Sequence, residues 1–315
     1  MFGRPGLTLS GMDSSRVMEA ASRGALVVRA PELGTVAMTG KDRLTWLNGL
    51  VTSDVARLEP GVASYGLILV KVGRIVSDVW IVPAGERLLV GAPRDRIGAL
   101  REHLEKYLIM EDASHADASA ELAWVFLHGP RAAELAKSMP PLHEGFGGAV
   151  DTTGLGGGVM VVPAAQEKAL VDDLVRLGDD VVEGSREDWD SLRVQRFLPR
   201  FGVDFGEKNY PQEASLEKIA VSFNKGCYLG QEVVCRLEMR GHVVKKVVPV
   251  RLETSEPPGA GAEVKSLEGK PVGTVSSATA ADGGSLGLAM VRIDFAEPGT
   301  KLDVAGREAV VLAPR

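Results

Sequence analysis

Residues 225–232 read KGCYLGQE and hold one of the chain's two cysteines between two glycines. Gly226 and Gly230 give the backbone access to positive φ and let a ligand approach closely. The run from Gly230 through Gln231, Glu232, Val233, Val234, Arg236 and Leu237 predicts a helix, so Cys227 falls near a helix N-terminal end with Lys225 beside it. A neighbouring cation and a helix start both favour thiolate over thiol. A free cysteine is more often a small buried hydrophobe. A packed cysteine needs neither the flanking glycines nor the lysine, so the segment points to a presented, working thiol.

Outward from this stretch, composition sets the limits. The chain has 315 residues, of which 45% are hydrophobic, enough for two or three compact units with substantial cores. A net charge of −6 and a sequence pI near 5.5 argue against the broad basic face that direct nucleic-acid binding requires. No apolar run approaches the length of a membrane span, and the N-terminal MFGRPGLTLSGMDSS lacks the apolar centre of a signal peptide. These features predict a cytoplasmic protein with no membrane partner. Two cysteines make no disulfide framework, as expected of a reducing compartment. Cys227, Cys235 and His242 lie seven and six residues apart, which is not zinc-site spacing, and a resident cluster would call for three or four thiolates. No permanently bound metal is expected.

Periodicity organises the rest. Ala25 to Arg29 and Val36 to Met38 read as strands, and Thr39-Gly40 leads into a helix with Leu44, Leu47 and Leu50 or Val51 on one face. Trp124 to Leu127, the turn Gly129-Pro130 and a helix over Arg131 to Ser138 repeat that grammar. Between them, Tyr65 to Val70 and Ile75 to Val82 predict a hairpin, followed by a strand at Leu88 to Val90 and an amphipathic helix carrying Ile97, Leu100, Leu104 and Leu108. Leu170, Leu174 and Leu177 line a helix stopped by Gly178, and Ser185 with Asp188 marks the N-terminus of another that turns Trp189 and Leu192 inward. Gly154 to Gly158 lacks the strand, helix and downstream acid of a dinucleotide fingerprint and reads as a loop. His103, His115 and His143 show neither metal nor triad spacing. From about Lys245, short β-rich runs broken by Pro257-Pro258-Gly259, Gly283-Gly284 and Pro298-Gly299 predict a small barrel or sandwich. The fold class is α+β: two related α+β modules, 1–118 and 119–244, and a C-terminal β-barrel, 245–315.

The octapeptide resembles the KGCYxGQE signature of the YgfZ-type folate-binding proteins, iron–sulfur cluster maturation factors related to the aminomethyltransferase (T-protein) of the glycine cleavage system. All specified positions match, with Leu229 at the free one, and Cys235-Arg236 and Arg240-Gly241 are similar to the family's continuation, although alanine is usual where this chain has Cys235. Gly273-Thr274-Val275-Ser276-Ser277 and Leu288-Ala289-Met290-Val291 resemble strands of the T-protein barrel. The resemblance implies that the two modules surround a central folate pocket.

It also implies site residues. Trp46 to Asp54 resembles the family's N-terminal helix motif: Asn48 faces either the pocket or solvent, whereas Thr52 and Asp54 close the helix. Gly73 to Asp78 resembles the strand on which aminomethyltransferases carry paired aspartates near the reactive folate nitrogens; here the first is Ser77. Successive strand residues face opposite ways, so only one of Ser77 and Asp78 points at a ligand, and Asp78 is the one able to hold charge. Arg193 to Asp204 is similar to the stretch where a transferase glutamate reads the pteridine, but this chain has Gln195, whose amide mismatches one pteridine donor at a cost on the order of 1–3 kcal/mol if buried. Glu213 is the replacement carboxylate to inspect. Anionic glutamyl tails call for cations, for which Lys225, Arg236 and Arg240 are candidates. Tyr228 either stacks on the ligand's rings or lies in the core with its hydroxyl satisfied.

The resulting expectation is a protein that binds tetrahydrofolate or a one-carbon derivative and assists assembly or repair of iron–sulfur clusters, supporting [4Fe–4S] enzymes including those that modify tRNA. Cys227 and Asp78 are the chemical residues, with Lys225, Gly226, Tyr228, Gln231, Gln195, Asn48 and Arg236 around the cofactor. Its partners are folate and iron–sulfur client or assembly proteins. The alternatives are a folate-dependent aminomethyltransferase, disfavoured by Ser77, Gln195 and the cysteine signature, and a binding module with a vestigial pocket.

Overall fold

The computed structural model describes residues 10–138, 143–239, 241 and 243–314. An antiparallel five-stranded sheet, a mixed six-stranded sheet and a closed barrel make up the molecule. The five-stranded sheet orders Ser64–Leu69, Ile75–Ala84, Arg87–Pro93, Leu33–Thr39 and Ser114–Asp117. The predicted hairpin forms one end of it, in register Tyr65 opposite Trp80 and Leu67 opposite Asp78. The six-stranded sheet orders Val181–Gly184, Ala25–Arg29, Leu122–His128, Gly157–Pro163, Phe146–Ala149 and Gly61–Val62. Strands from the first third of the chain therefore sit inside the second sheet: Ala25–Arg29 lies between Leu122–His128 and Val181–Gly184, and Gly61–Val62 pairs with Phe146–Ala149.

Each sheet covers one face with amphipathic helices. Ile97, Leu100 and Leu104 of the helix Ile97–Glu105 pack on the first sheet, and Leu170, Val171 and Leu174 of Glu167–Val175 on the second. The other faces meet each other around Trp124, which is fully buried among Val82 and Leu89 of one sheet and Val159 and Val161 of the other. Its indole Nε1 donates to Thr35 Oγ1 at 2.8 Å, so its one polar atom is satisfied. Burying such a ring contributes on the order of 4–6 kcal/mol at 25 cal/mol per Å². A Cβ at Gly91 would meet that ring at 2.7 Å, so only glycine lets the sheets approach there.

The helix Arg186–Gln195 begins with a capping box: Ser185 Oγ accepts from Asp188 N, and the Asp188 carboxylate accepts from Ser185 N. The barrel closes in the order Lys245–Leu252, Gly284–Arg292, Pro271–Ala281, Glu263–Ser266, Lys301–Val304 and Arg307–Val311, which leaves no free sheet edge.

Two readings change. The Gly154–Gly158 stretch is not all loop, since Gly157 and Gly158 open the strand Gly157–Pro163. A side chain there would meet Val150 O at 2.2 Å or Ala136 Cβ at 2.4 Å, so these glycines serve close packing rather than a turn. The helix Ser10–Arg23 was not foreseen; it buries Val17 and Ala21 against Leu26, Val28 and Leu192. No helix among the described residues is long and apolar enough to cross a membrane.

Candidate functional site

A cavity of about 330 Å³ opens where the hairpin, the strand Ala25–Arg29, the helix Arg186–Gln195 and the segment 198–203 converge. Tyr65, Trp80, Phe126, Trp189 and Phe201 line it, backed by the buried His128. Tyr65 and Trp80 lie 4.5 Å apart, Trp80 meets Phe126 edge-on at 4.7 Å, and His128 bridges Phe126 to Trp189, stacking on the latter at 4.2 Å. Burial lowers His128 to about 3, only partly offset by Asp151, so the imidazole is neutral and serves as a flat packing element.

Strand alternation decides the fate of the Ser77–Asp78 pair. Ser77 turns into the core, where its hydroxyl donates to the Asp78 carbonyl, and Asp78 turns to the cavity. The Tyr65 hydroxyl donates to Asp78 Oδ2 at 3.1 Å. Burial pushes Asp78 up to about 6, against the opposing hydrogen bond, and pushes the Tyr65 phenol well above its ordinary value. A carboxyl on an aromatic floor, titrating near neutrality, accepts a donor edge or exchanges a proton with a bound amine.

The mouth carries arginines. Arg29, Glu32, Arg186 and Arg200 line it, with Arg29 paired to Glu183 and Arg186 to Glu32. Asp190 binds the set together, accepting from Arg193 Nε at 2.6 Å and from Arg200 Nη1 at 2.7 Å, with Arg186 Nε at 3.7 Å. Burial alone would raise the Asp190 carboxyl, but the hydrogen bond and charge of Arg193, then Arg200 and Arg186, hold it below the usual range.

The KGCYLGQE segment is elsewhere. None of Lys225, Gly226, Cys227, Tyr228, Gln231 or Arg236 lines the cavity, nor do Asn48 and Gln195. Cys227 and Gly226 are exposed on a loop ahead of the helix Gln231–Met239, and Gln231 starts that helix with its N–H donating to Tyr228 O. Arg236 projects from the same helix as an exposed residue. Lys225 is an anchor: its ammonium donates to the carbonyls of Asn48, Val51 and Ser53 at 2.7, 2.9 and 2.7 Å, capping the end of the helix Arg43–Asn48 and the loop behind it. Burial lowers it to about 8, while Asp54 works in the opposite direction. Tyr228 lies in the core with Leu69, Ile75 and Val234, 5.4 Å beneath the Lys225 ammonium, and its hydroxyl has no hydrogen-bond partner among the described residues. Only one of the two glycines needs positive φ. Gly230 has φ of 84° and a Cβ there would meet Val70 O at 2.8 Å, whereas Gly226 is not left-handed and faces open space.

The remaining expected cofactor contacts are structural as well. Asn48 Oδ1 accepts from Val55 N at 3.0 Å, which shapes the loop after its helix. Gln195 Nε2 donates to Ser191 Oγ at 3.3 Å. Glu213 does not replace the missing pteridine reader, because its carboxylate is occupied by Asn209 Nδ2 and Tyr210 N away from the cavity wall. Arg240 and His242 lie outside the described residues. Among the described residues no group of three or more His, Cys, Asp or Glu side chains is placed to hold a metal ion.

The cavity residues not foreseen are Tyr65, Trp80, Phe126, Arg29, Glu32 and Arg186. Trp80 had a signal, being two residues from Asp78 and so on the same strand face. Tyr65 had one too, standing opposite Trp80 in the predicted hairpin, whereas the others come from segments that the tertiary fold alone assembles.

Comparison with known proteins accords with this architecture. Residues 14–144 match the GCVT N-terminal domain, and residues 245–315 match the CAF17 C-terminal β-barrel domain. A crystal structure of the glycine cleavage system aminomethyltransferase T from Bartonella henselae superposes with a TM-score of 0.79 at 22% identity, covering 95% of this chain and 89% of that one. The chain thus has the GcvT-related α+β fold completed by a CAF17-type barrel. Among curated proteins it is 26% identical to "Iron-sulfur cluster assembly factor IBA57 homolog, mitochondrial" of Neosartorya fischeri, over 85% of this chain and 70% of the relative. It is also 26% identical to "tRNA-modifying protein YgfZ" of Vibrio vulnificus strain YJ016, over 87% of this chain and 86% of the relative. Among proteins with this GcvT-related fold, the chain is similar to those named YgfZ and IBA57.

Proposed function

We propose that this protein binds a reduced folate in the aromatic cavity and uses Cys227, on a separate surface, to assist assembly or repair of iron–sulfur clusters in [4Fe–4S] enzymes, including enzymes that modify tRNA. The observation that carries the reading is the separation itself: an exposed thiol, on a loop anchored by Lys225, stands apart from the cavity. A thiol that serves a partner protein must be reachable by that partner. The names of the fungal and Vibrio relatives support the role in cluster assembly and tRNA modification.

The cavity supports a folate by its chemistry. Tyr65, Trp80, Phe126 and Trp189 offer faces to a flat bicyclic ring, Asp78 offers a carboxylate to its donor edge, and Arg186 and Arg200 offer cations to a carboxylate tail. Tetrahydrofolate or a one-carbon derivative has these three parts, with the ring between the donor edge and the tail. Neither Gln195 nor Glu213 takes the place of the transferase glutamate, since both are turned elsewhere, which leaves Asp78 as the carboxylate for that edge. We place this work in the cytoplasm, supported by the sparse cysteine content; the fungal relative is named as mitochondrial.

The test is a strain lacking its own homologue, expressing the intact protein or Cys227→Ala, with the activity of a tRNA methylthiolase as the readout. The expected result is rescue by the intact chain and at least a tenfold lower activity with the variant, at equal protein level. Equal rescue by both would remove the thiol from the mechanism. Saturable tetrahydrofolate binding, unchanged by Cys227→Ala, is the companion result.

A further inference from the structure

The C-terminal barrel is clasped to the cavity wall around one buried carboxylate and Arg193. Asp204, whose side chain is fully shielded, accepts four hydrogen bonds: from Ser276 Oγ at 2.6 Å and Ser277 Oγ at 2.7 Å on the barrel strand Pro271–Ala281, from Arg193 Nη1 at 2.7 Å, and from the backbone N–H of Arg200 at 2.8 Å. Ser277 Oγ also accepts from Arg193 Nη2 at 2.8 Å. Arg193 is thereby used on every nitrogen, since Nε goes to Asp190 and Nη1 also to Leu198 O. Arg200 is different. Its Nη1 is held by Asp190, while Nε and Nη2 have no hydrogen-bond partner among the described residues and belong to a residue of the cavity wall.

The turn that delivers Arg200 is strained. Phe197 holds a φ of 59°, a conformation that bulky side chains rarely adopt, between Arg193 and Arg200. Such a turn persists only where its surroundings over-determine it. The surroundings here are the Arg193–Leu198 backbone bond at 2.8 Å and the Asp204 clasp. A surface arginine would lose its aim through side-chain freedom, but this one starts from a backbone nitrogen fixed to a carboxylate that two barrel hydroxyls lock in place.

We propose that Asp204, locked by Ser276 and Ser277, is a positioning residue that aims Arg200 at the anionic tail of the cavity ligand, so that the barrel sets the preference for tailed over tail-less pterins. This deepens the folate reading and rests on it. The clasp acts through geometry and leaves the aromatic floor untouched.

The experiment compares dissociation constants for tetrahydrofolate and 6-methyltetrahydropterin, which keeps the ring and lacks the tail, in the intact full chain and in Ser276→Ala/Ser277→Ala. The expected result is about a tenfold loss of the affinity ratio in favour of tetrahydrofolate, with the pterin affinity held and the ratio restored in Ser276→Thr/Ser277→Thr. The single variants Ser276→Ala and Ser277→Ala, each keeping one hydroxyl, give intermediate ratios and serve if the double variant does not fold. An unchanged ratio, or equal weakening of both ligands, overturns the positioning role while leaving the folate reading intact. An intact protein that binds neither ligand removes the folate reading and this inference together.

Discussion

The cavity and the Cys227 loop solve opposite problems with the same kinds of residue. In the cavity, ionised groups are brought together from several distant segments and neutralised in place: Asp190 gathers Arg186, Arg193 and Arg200, and Asp204 joins Arg193 to the barrel. In the loop, the groups come from eight consecutive residues, and the one cation, the half-buried Lys225, holds backbone carbonyls rather than a ligand. The contrast shows why a sequence motif need not mark a pocket. A local motif specifies a loop conformation and what it presents, whereas a pocket for a large ligand is a property of convergence.

The comparison breaks most visibly at the clasp. Asp204→Ala takes the fully buried carboxylate from Arg193 and leaves it the half-exposed Asp190; removing one partner of a buried pair costs about 3–5 kcal/mol, and the remaining pair holds the loss near the lower end. Chemical denaturation should show a loss of that size, and a loss below about 1 kcal/mol would mean that the barrel docks without the clasp.

The two glycines of the motif sharpen the contrast on the loop side. Gly230→Ala must place a side chain at φ of 84° and within 2.8 Å of Val70 O, so a destabilisation of roughly 2 kcal/mol is expected. Gly226→Ala meets open space and should shift stability by less than about 0.5 kcal/mol. Equal melting temperatures for the two variants would contradict the loop geometry.

The smallest expected effect is the pH dependence of the cavity floor. Asp78 titrates at about 6 when folded, above the ordinary 3.8, so the native state binds more protons than the unfolded chain between these values. Its contribution therefore favours folding at low pH and is lost as pH rises through about 6. Asp78→Asn should remove that decline, making the variant more stable than the intact protein at pH 7 than at pH 4, by on the order of 1 kcal/mol after solvent screening in the open cavity. Parallel stability–pH curves for the two proteins would remove Asp78 from the buried floor.

Periodicity carries far in this chain because most of its elements bury one face. The hairpin, the helix Ile97–Glu105, the capping box at Ser185 and the closed barrel are all visible as alternation, three-to-four spacing or turn residues. The strand Phe146–Ala149 is not visible in that way: its residues are FGGA, and its glycines exist to let the chain pass Ala136 and Ala63 at close range. Such a strand owes its place to neighbours rather than to its own propensity.

For the site, the octapeptide alone was enough to mark Cys227 as presented, because glycine on either side and a following helix are local facts. Alternation along Ile75–Ala84 likewise restricted the cavity to Asp78 or Ser77. Tertiary structure alone decided that Lys225 turns to Asn48, Val51 and Ser53, that Gln195 stays beside Ser191, and that Arg29, Glu32, Arg186 and Arg200 meet at one mouth. The reason is physical: a buried cation goes wherever unpaired carbonyls or carboxylates converge, and that convergence is set by the packing of segments far apart in the chain, which local residue patterns do not encode.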